Sequence, residues 1–371
     1  MIYLDYAANT PVRKEVLAVF EETSREYIAN PNSSHSLGLQ AKERLYACTQ
    51  RTLALLGMPE REVVYTSGAS ESNNLAIKGI AGTYKNRGKH IISTYLEHSS
   101  VNGALSFLQN IGYEVDYVDI NRDGLVDLNH LKALMRRDTI LVSVCYVDSE
   151  VGLRQPIEEI GVLLSGYPEC FFHVDATQAV GKIPVSLEGV DLFTFSPHKF
   201  YGLNGCGALV KKAPVMLEPL VHGGISTTPF RSGTPALSLI AAADEALFLA
   251  CSDLEKNYAY VRSLNEQLRA TLQQFRNVRI NSTEHSIPFI LNVSLPDVKI
   301  PAILVEFEKN EIYLSSKSAC CAPNTIFRPV YALTHDRKAA LSTLRVSLSH
   351  LTTEQEIARF LEKFAECLKK F

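Results

Sequence analysis

No apolar run in this 371-residue sequence approaches the ~18 consecutive residues that a membrane-spanning helix requires. The opening segment Met1-Ile2-Tyr3-Leu4-Asp5 lacks the charged and apolar regions of a secretory leader, so a soluble, cytoplasmic protein is expected. No block of basic residues stands out, and lysine plus arginine (37) nearly balance aspartate plus glutamate (40). The electrostatic footprint of a nucleic-acid binder is therefore missing, and a small, charged organic substrate is expected instead. The eight cysteines are dispersed, with no C-x-x-C and no Cys/His grouping at zinc-finger spacing, so reduced thiols and no metal site are expected. Internal repeats, low-complexity stretches and disordered linkers are also absent.

What is present begins with size. A chain of 371 residues with 46% apolar content exceeds what one core usually serves, so a large domain plus a smaller one is expected. Between about Glu62 and Leu209, short apolar runs alternate with helical patterns, the signature of a mostly parallel sheet covered by helices. The candidate strands are Val63-Val64-Tyr65, His90-Ile91-Ile92-Ser93, Val115-Asp116-Tyr117-Val118, residues 140–146, Phe171-Phe172-His173-Val174 and Leu192-Phe193-Thr194-Phe195. In such sheets ligands bind beyond the carboxyl ends of the strands.

After Gly233 the apolar spacing lengthens to three or four residues, at Leu254, Tyr258, Val261, Leu264, Leu268, Leu272 and Phe275, which predicts a long amphipathic helix leading into the second domain. There, residues 287–295 and 311–314 read as strands. Thr352 with Gln355, or Thr353 with Glu356, offers a capping box before the stripe Ile357, Phe360, Leu361, Phe364, Leu368.

Three constellations follow strand ends. Thr66-Ser67-Gly68-Ala69-Ser70-Glu71-Ser72-Asn73-Asn74 places a glycine and small hydroxyl residues at a helix start, where free amide donors and the helix dipole suit a phosphate. An ordinary serine cap reads equally well there. His173-Val174-Asp175-Ala176-Thr177-Gln178 releases a carboxylate as a buried strand ends. It either holds a heteroaromatic nitrogen protonated or caps a following helix. Ser196-Pro197-His198-Lys199 puts a lysine at another strand end, where partial desolvation lowers its amine pKa and favours Schiff-base chemistry. Taken jointly, a phosphate cradle, a strand-end acid and a strand-end lysine specify pyridoxal 5'-phosphate, one handle each for phosphate, ring nitrogen and aldehyde. His98 suits ring stacking and proton transfer or a plain structural role.

Elsewhere, Ser315-Ser316-Lys317-Ser318-Ala319-Cys320-Cys321-Ala322-Pro323 sets adjacent thiols among small and polar residues, poor material for a core. A thiol there points to a nucleophile, a redox pair or a metal ligand.

These motifs, with Tyr3-Leu4-Asp5-Tyr6-Ala7-Ala8-Asn9-Thr10-Pro11, Asn30-Pro31-Asn32-Ser33-Ser34-His35, Glu97-His98, Arg231-Ser232-Gly233-Thr234 and Leu344-Arg345-Val346-Ser347-Leu348, resemble the cysteine desulfurases of the fold-type I, class V aminotransferase group nearly end to end. The resemblance implies an α/β large domain over residues 13–252 with a mostly parallel seven-stranded sheet between helices. Residues 1–12 and 253–371 would form a smaller α+β domain carrying the catalytic cysteine.

The resemblance also implies roles. Lys199 would hold the cofactor covalently, Asp175 the pyridinium and Gln178 the ring hydroxyl. Ala69, Ser70, Ser196 and His198 would bind phosphate, with Thr234 reaching it from the other subunit of a homodimer. His98 would stack on the ring and move protons, and Arg345, assisted by Asn30, would clamp the carboxylate of L-cysteine. Cys320 would attack the substrate sulfur, leaving alanine and a persulfide for a sulfur acceptor: a scaffold, a SufE-like carrier or a thiolation enzyme, in iron-sulfur cluster assembly or in tRNA or cofactor thiolation. His98 and Lys317 are candidates for activating the thiol.

Three departures from the family pattern stand out. Asp148-Ser149-Glu150 replaces paired asparagines, leaving Ser149, a water or nothing to meet the ring hydroxyl. Ile225-Ser226-Thr227-Thr228-Pro229 replaces a glycine and an acid at the implied subunit contact. Cys321 adjoins the nucleophile, and residues 322–329 are unlike the common loop. Other readings are a selenocysteine lyase, a class V aminotransferase or a non-catalytic binding relative.

Overall fold

The computed structural model describes residues 1–296, 298–316 and 327–370, so Lys317, Cys320 and Cys321 lie outside the described residues. The chain opens with the short strand β1 (Ile2–Tyr3) and the helices α1 (Lys14–Glu26) and α2 (Ser36–Leu55). It then builds a seven-stranded sheet from β2 (Glu62–Thr66), β3 (His90–Thr94), β4 (Glu114–Val118), β5 (Thr139–Cys145), β6 (Phe171–Asp175), β7 (Leu192–Phe195) and β8 (Gly207–Lys211). Their order is β2-β8-β7-β6-β5-β3-β4. Every pairing is parallel except the two made by β8. β5 is buried at every residue, as a strand covered on both faces must be.

All six strands read from the sequence are present, and β8 is the seventh. Its antiparallel start pairs Gly207 with Thr66. A Cβ at Gly207 would meet the backbone of Gly68 at 2.4–2.8 Å, so a residue without a side chain is required where the β8 start and the β2 exit converge.

Helices α3 (Ala69–Tyr84), α4 (Ser99–Asn110), α5 (Leu128–Leu134) and α6 (Ile157–Leu164) connect the strands. The chain moves outward from β3 to β4 in one direction and from β5 through β6 to β7 in the other. The crevice at β3 and β5 is therefore a topological switch point, where such sheets bind ligands.

The expected long helix is α8 (Leu254–Leu272), and a further helix, α7 (Leu237–Ser252), precedes it, parted from it at Asp253. Beyond them lie β9 (Arg279–Ile280), β10 (Ile290–Ser294), α9 (Ile300–Lys309), β11 (Ile312–Tyr313), α10 (Arg328–Thr334), α11 (Arg337–Leu341), β12 (Thr343–Ser347) and α12 (Glu354–Lys370). β12, β10 and β9 form an antiparallel sheet, and β1 pairs in parallel with β11, which returns the N-terminus to this region. All three sheets contribute to one apolar cluster, which runs from Ile92 and Val174 through Val293, Val346 and Ile312 to Phe307 and Phe364 on α9 and α12.

The capping box is Thr353 with Glu356. Thr353 N–H donates to Glu356 Oε2 at 2.8 Å, and Glu356 N–H donates to Thr353 Oγ1 at 3.2 Å. Such a box contributes about 1 kcal/mol. It starts α12 in the phase that buries Ile357, Phe360 and Phe364. Among the described residues no helix is long and apolar enough to cross a membrane.

Candidate active site

A cavity of about 370 Å³ opens at the carboxyl edge of the large sheet, where the ends of β2, β3, β5, β6 and β7 converge. Lys199 enters it from the tight turn that follows β7. Its Nζ donates to Ala7 O at 2.8 Å and to Ala8 O at 2.6 Å, so the N-terminal segment forms part of the wall. Asp175, the last residue of β6, faces the same space. Its Oδ2 accepts from Asn73 Nδ2 at 2.7 Å and its Oδ1 from Thr177 N–H at 3.0 Å. Residues 177–182 are successive turns, so Asp175 caps no helix.

At the far side α3 begins at the cavity. Its N-cap is Gly68 with no side-chain cap, so the serine-cap alternative does not hold, and the first-turn N–H groups of Ala69 and Ser70 lack intrahelical partners. Glu71 braces this entry, accepting from Ser67 N–H at 2.8 Å and from Arg231 Nε at 3.0 Å. His198 lines the cavity too, and burial, then Lys199 and Lys182, push its pKa down to about 4. Ser196 does not line it. Its buried hydroxyl donates to Cys206 O at 2.9 Å and meets His198 Nδ1 at 2.8 Å, so it orients the ring from behind.

His98 caps α4. Its Nδ1 accepts from Ser100 N–H at 3.2 Å, which leaves the proton of the neutral ring on Nε2. Burial lowers its pKa. Ser100 Oγ lies 2.9 Å from Nδ1 and accepts from Asn73 Nδ2, so His98 and Asp175 share a network through Ser100 and Asn73.

Arg345, on β12, is only 1% exposed. Nη1 donates to Ser149 O at 2.8 Å and Nη2 to Asp5 Oδ1 at 2.8 Å, while Nε has no partner among the described residues. Asp5 Oδ2 in turn accepts from Ser315 Oγ at 2.8 Å. The turn carrying Ser149 is built by Asp148, whose carboxylate accepts from the N–H groups of Glu150, Val151 and Leu153 at 2.7–2.9 Å. Burial nonetheless raises Asp148 to about 6. Asp148 therefore shapes the loop that presents Ser149, and Ser149 lines the cavity.

Asn30 and Thr234 do not line this cavity. Within one chain they meet each other, Asn30 Nδ2 donating to Thr234 Oγ1 at 3.5 Å, and Thr234 borders a smaller cleft with Thr66 and Arg231. Sequence reasoning missed Asn73, Ser100, Asp5 and Glu97. Each acts on the cavity through another residue, and Asp5, Asn73 and Glu97 stand inside the quoted motifs while Ser100 does not.

Glu97 is fully buried behind His98. Its Oε1 accepts from Thr94 Oγ1 and Cys145 N–H, both at 2.8 Å, and its Oε2 has no partner among the described residues. Burial raises its pKa to about 8. A carboxyl raised on folding stabilises the fold fully below the ordinary carboxyl pKa, and that contribution is lost as pH rises through about 8. Glu97→Gln keeps the acceptor and stays neutral. Its melting temperature, measured against wild type, is therefore expected to gain as pH rises from 5 to 9, whereas an equal gap at both pH values would contradict this.

The six cysteines among the described residues are unpaired. Cys145 reaches the cavity wall, but burial, with Glu97 nearby, raises its thiol well above the ordinary value. Burial likewise raises Cys48 to about 11 and Cys170 and Cys206 to about 12. None is poised as a thiolate.

The family model described as Aminotransferase class-V matches residues 2–360. The cysteine desulfurase IscS of Neisseria meningitidis serogroup C (strain 053442) is 40% identical over 366 residues, covering 96% of this chain and 89% of that protein. Among solved structures, a NifS-like protein matches with a TM-score of 0.92 and 33% identity over 100% of both chains. SspA in complex with cysteine matches with a TM-score of 0.82 and 30% identity, covering 95% of this chain and 100% of that one.

Proposed function

The chain belongs to the class-V aminotransferase family, and from that premise we infer that it is a cysteine desulfurase, taking sulfur from L-cysteine and releasing alanine. The observation that carries the mechanism is Lys199 entering one cavity with Asp175, the α3 N-terminus and Arg345. The donor set fits pyridoxal 5'-phosphate: an amine for the aldehyde, a carboxylate for the ring nitrogen, and a helix start for the phosphate. The buried Thr177 Oγ1 on the cavity wall, with no partner among the described residues, is a further group for a polar ligand to meet. When bound, this cofactor supplies an electron sink for the charge left as the substrate loses its α proton.

Lys199 would hold the cofactor covalently and Asp175 would keep the ring nitrogen protonated, its two N–H donors fixing the carboxylate in place. The N–H groups of Ala69 and Ser70 and the ring of His198 would bind phosphate, Ser196 holding that ring. Gln178 would donate to the ring hydroxyl, with Ser149 the shorter second contact. His98 would stack on the ring, with Nε2 the atom at which a proton is held or handed on. Arg345 would clamp the substrate carboxylate. Its buried Nε, without a partner among the described residues, costs about 1–3 kcal/mol, which an anion offsets, and Asp5 and Ser149 O hold the fork in place.

The Cys320 thiolate would then bond to the substrate sulfur as the Cβ–S bond breaks; the carbon fragment takes up a proton and leaves as alanine, and the persulfide stays on Cys320. Residues 13–252 would form the cofactor-bearing body, and residues 1–12 with 253–371 the body that carries Cys320. The persulfide's recipient would be a sulfur-acceptor protein serving iron-sulfur cluster assembly or thiolation. The outward-facing Asn30 and Thr234 suit completion of a second subunit's site in a homodimer.

Incubation with L-cysteine and a reductant is expected to yield alanine and sulfide in equal amounts, with no requirement for a keto acid. Turnover that needs a keto acid, or alanine without sulfide, would contradict the assignment.

A further inference from the structure

Lys182 is a buried lysine for which the reaction above has no use. It lies in the turns after Asp175, where Gly181, at φ 75° and packed against Phe200 and Ala250, directs the chain inward. A side chain at Gly181 is excluded by that contact. Lys182 is only 7% exposed, and its one hydrogen-bond partner among the described residues is Gln178 Oε1, at 2.6 Å. An amine so placed gives up its hydration for one neutral acceptor, an arrangement that packing alone does not favour. Burial, then the nearby charges of Lys199 and Arg345, hold its pKa well below the ordinary lysine value.

The other end of the Gln178 amide explains the arrangement. Gln178 Nε2 donates to Ala7 O at 2.9 Å, and Lys199 Nζ donates to the same oxygen at 2.8 Å. The amide of Gln178 and the amine of Lys199 therefore meet at one carbonyl. Turned around, the amide would place Oε1 against Ala7 O and offer it to Lys199 as a competing acceptor. It would also present a carbonyl, not a donor, to the cavity.

We propose that Lys182 is a positioning residue of the cofactor site, which by donating to Gln178 Oε1 fixes the amide so that only N–H faces Lys199 and the cavity. This rests on the reading of Gln178 as the contact to the ring hydroxyl. Without Lys182 the Gln178 carbonyl is a buried acceptor lacking a donor, and swinging toward Lys199 is its nearest remedy.

The test is a double-mutant cycle on Lys182→Met, Gln178→Ala and the double variant, each stripped of cofactor and reloaded with pyridoxal 5'-phosphate. Two quantities are read besides turnover: the cofactor dissociation constant and the pH at which the bound cofactor's visible band titrates. Lys182→Met is expected to weaken cofactor binding roughly 2- to 10-fold, the scale of one hydrogen bond. It should move the titration in the same direction as Gln178→Ala, with the double variant no worse than Gln178→Ala alone. Additive effects, or a Lys182→Met protein identical to wild type in both readings, would overturn the proposal. If Gln178→Ala itself changes neither quantity, the reading of Gln178 fails first and the proposal falls with it. Lys182→Leu replaces Lys182→Met if the latter does not fold. If neither folds, Lys182→Arg, which keeps a donor, must reproduce the wild-type titration, and a shifted one counts against the role.

Discussion

Lys199→Ala is expected to lose turnover of L-cysteine by on the order of 10⁴-fold, equivalent to ~5.5 kcal/mol of barrier. It should also lose the visible absorbance that bound pyridoxal 5'-phosphate gives the wild type. The magnitude follows from the surroundings of the amine. Lys199 stands at a strand end with its Nζ held by two backbone oxygens, which aim it into the cavity and leave it able to form a Schiff base. Lys182, the buried amine whose charge state Lys199 influences, is occupied with Gln178, so it is not free to take over. The phosphate cradle at α3 and the Asp175 carboxylate are untouched by the substitution, so the cofactor should still bind, more weakly and reversibly. Absorbance after dialysis and alanine formation measure the two effects, and retained turnover with a retained band would contradict the assignment.

Cys320→Ala is expected to lose sulfide formation by roughly 10³-fold or more, the scale on which removal of a nucleophile acts. Cys321→Ala is expected to stay within a few-fold of wild type. No described thiol substitutes for Cys320. Cys145 is the one that reaches the cavity wall, and its thiol is held protonated by burial and by the neighbouring Glu97. A nucleophile must instead come from a segment of small and polar residues, and Ser315-Ser316-Lys317-Ser318-Ala319-Cys320 is that segment. Parallel assays of alanine and sulfide on both variants check this. Loss of activity in Cys321→Ala alone would exchange the two roles.

The strand-end residues were legible in the sequence because their signal is local. Asp175 and Lys199 each follow a short apolar run, and Ser67-Gly68-Ala69-Ser70 stands between a strand and a helical stripe, so strand periodicity alone sets them at one sheet edge. Arg345 was reached by resemblance. Its partner Asp5 lies 340 residues away, and no spacing rule joins a residue near the N-terminus to one on β12. Asn73 and Glu97 stood inside quoted motifs, but their work is done on Asp175 and on Cys145 N–H, through contacts only the fold creates.

Ser196 shows the opposite limit. Adjacency to His198 suggested a shared ligand, whereas its hydroxyl is turned away to Cys206 O. β8 escaped because its first residue must be glycine to pass Gly68, and the glycine run before it reads as a loop. The Asp148 substitution, read as a change in cofactor chemistry, is first a turn: three backbone N–H groups converge on one carboxylate.

The central claim is that sulfur passes from L-cysteine at the Lys199 site onto the protein's own thiol. Peptide mass mapping after brief incubation with L-cysteine, without reductant, tests it most directly. The expected result is one added sulfur atom on the peptide containing Cys320, present in wild type and absent in Lys199→Ala. Alanine and sulfide formed with no added sulfur on that peptide, or with the added sulfur on Cys145, would contradict it.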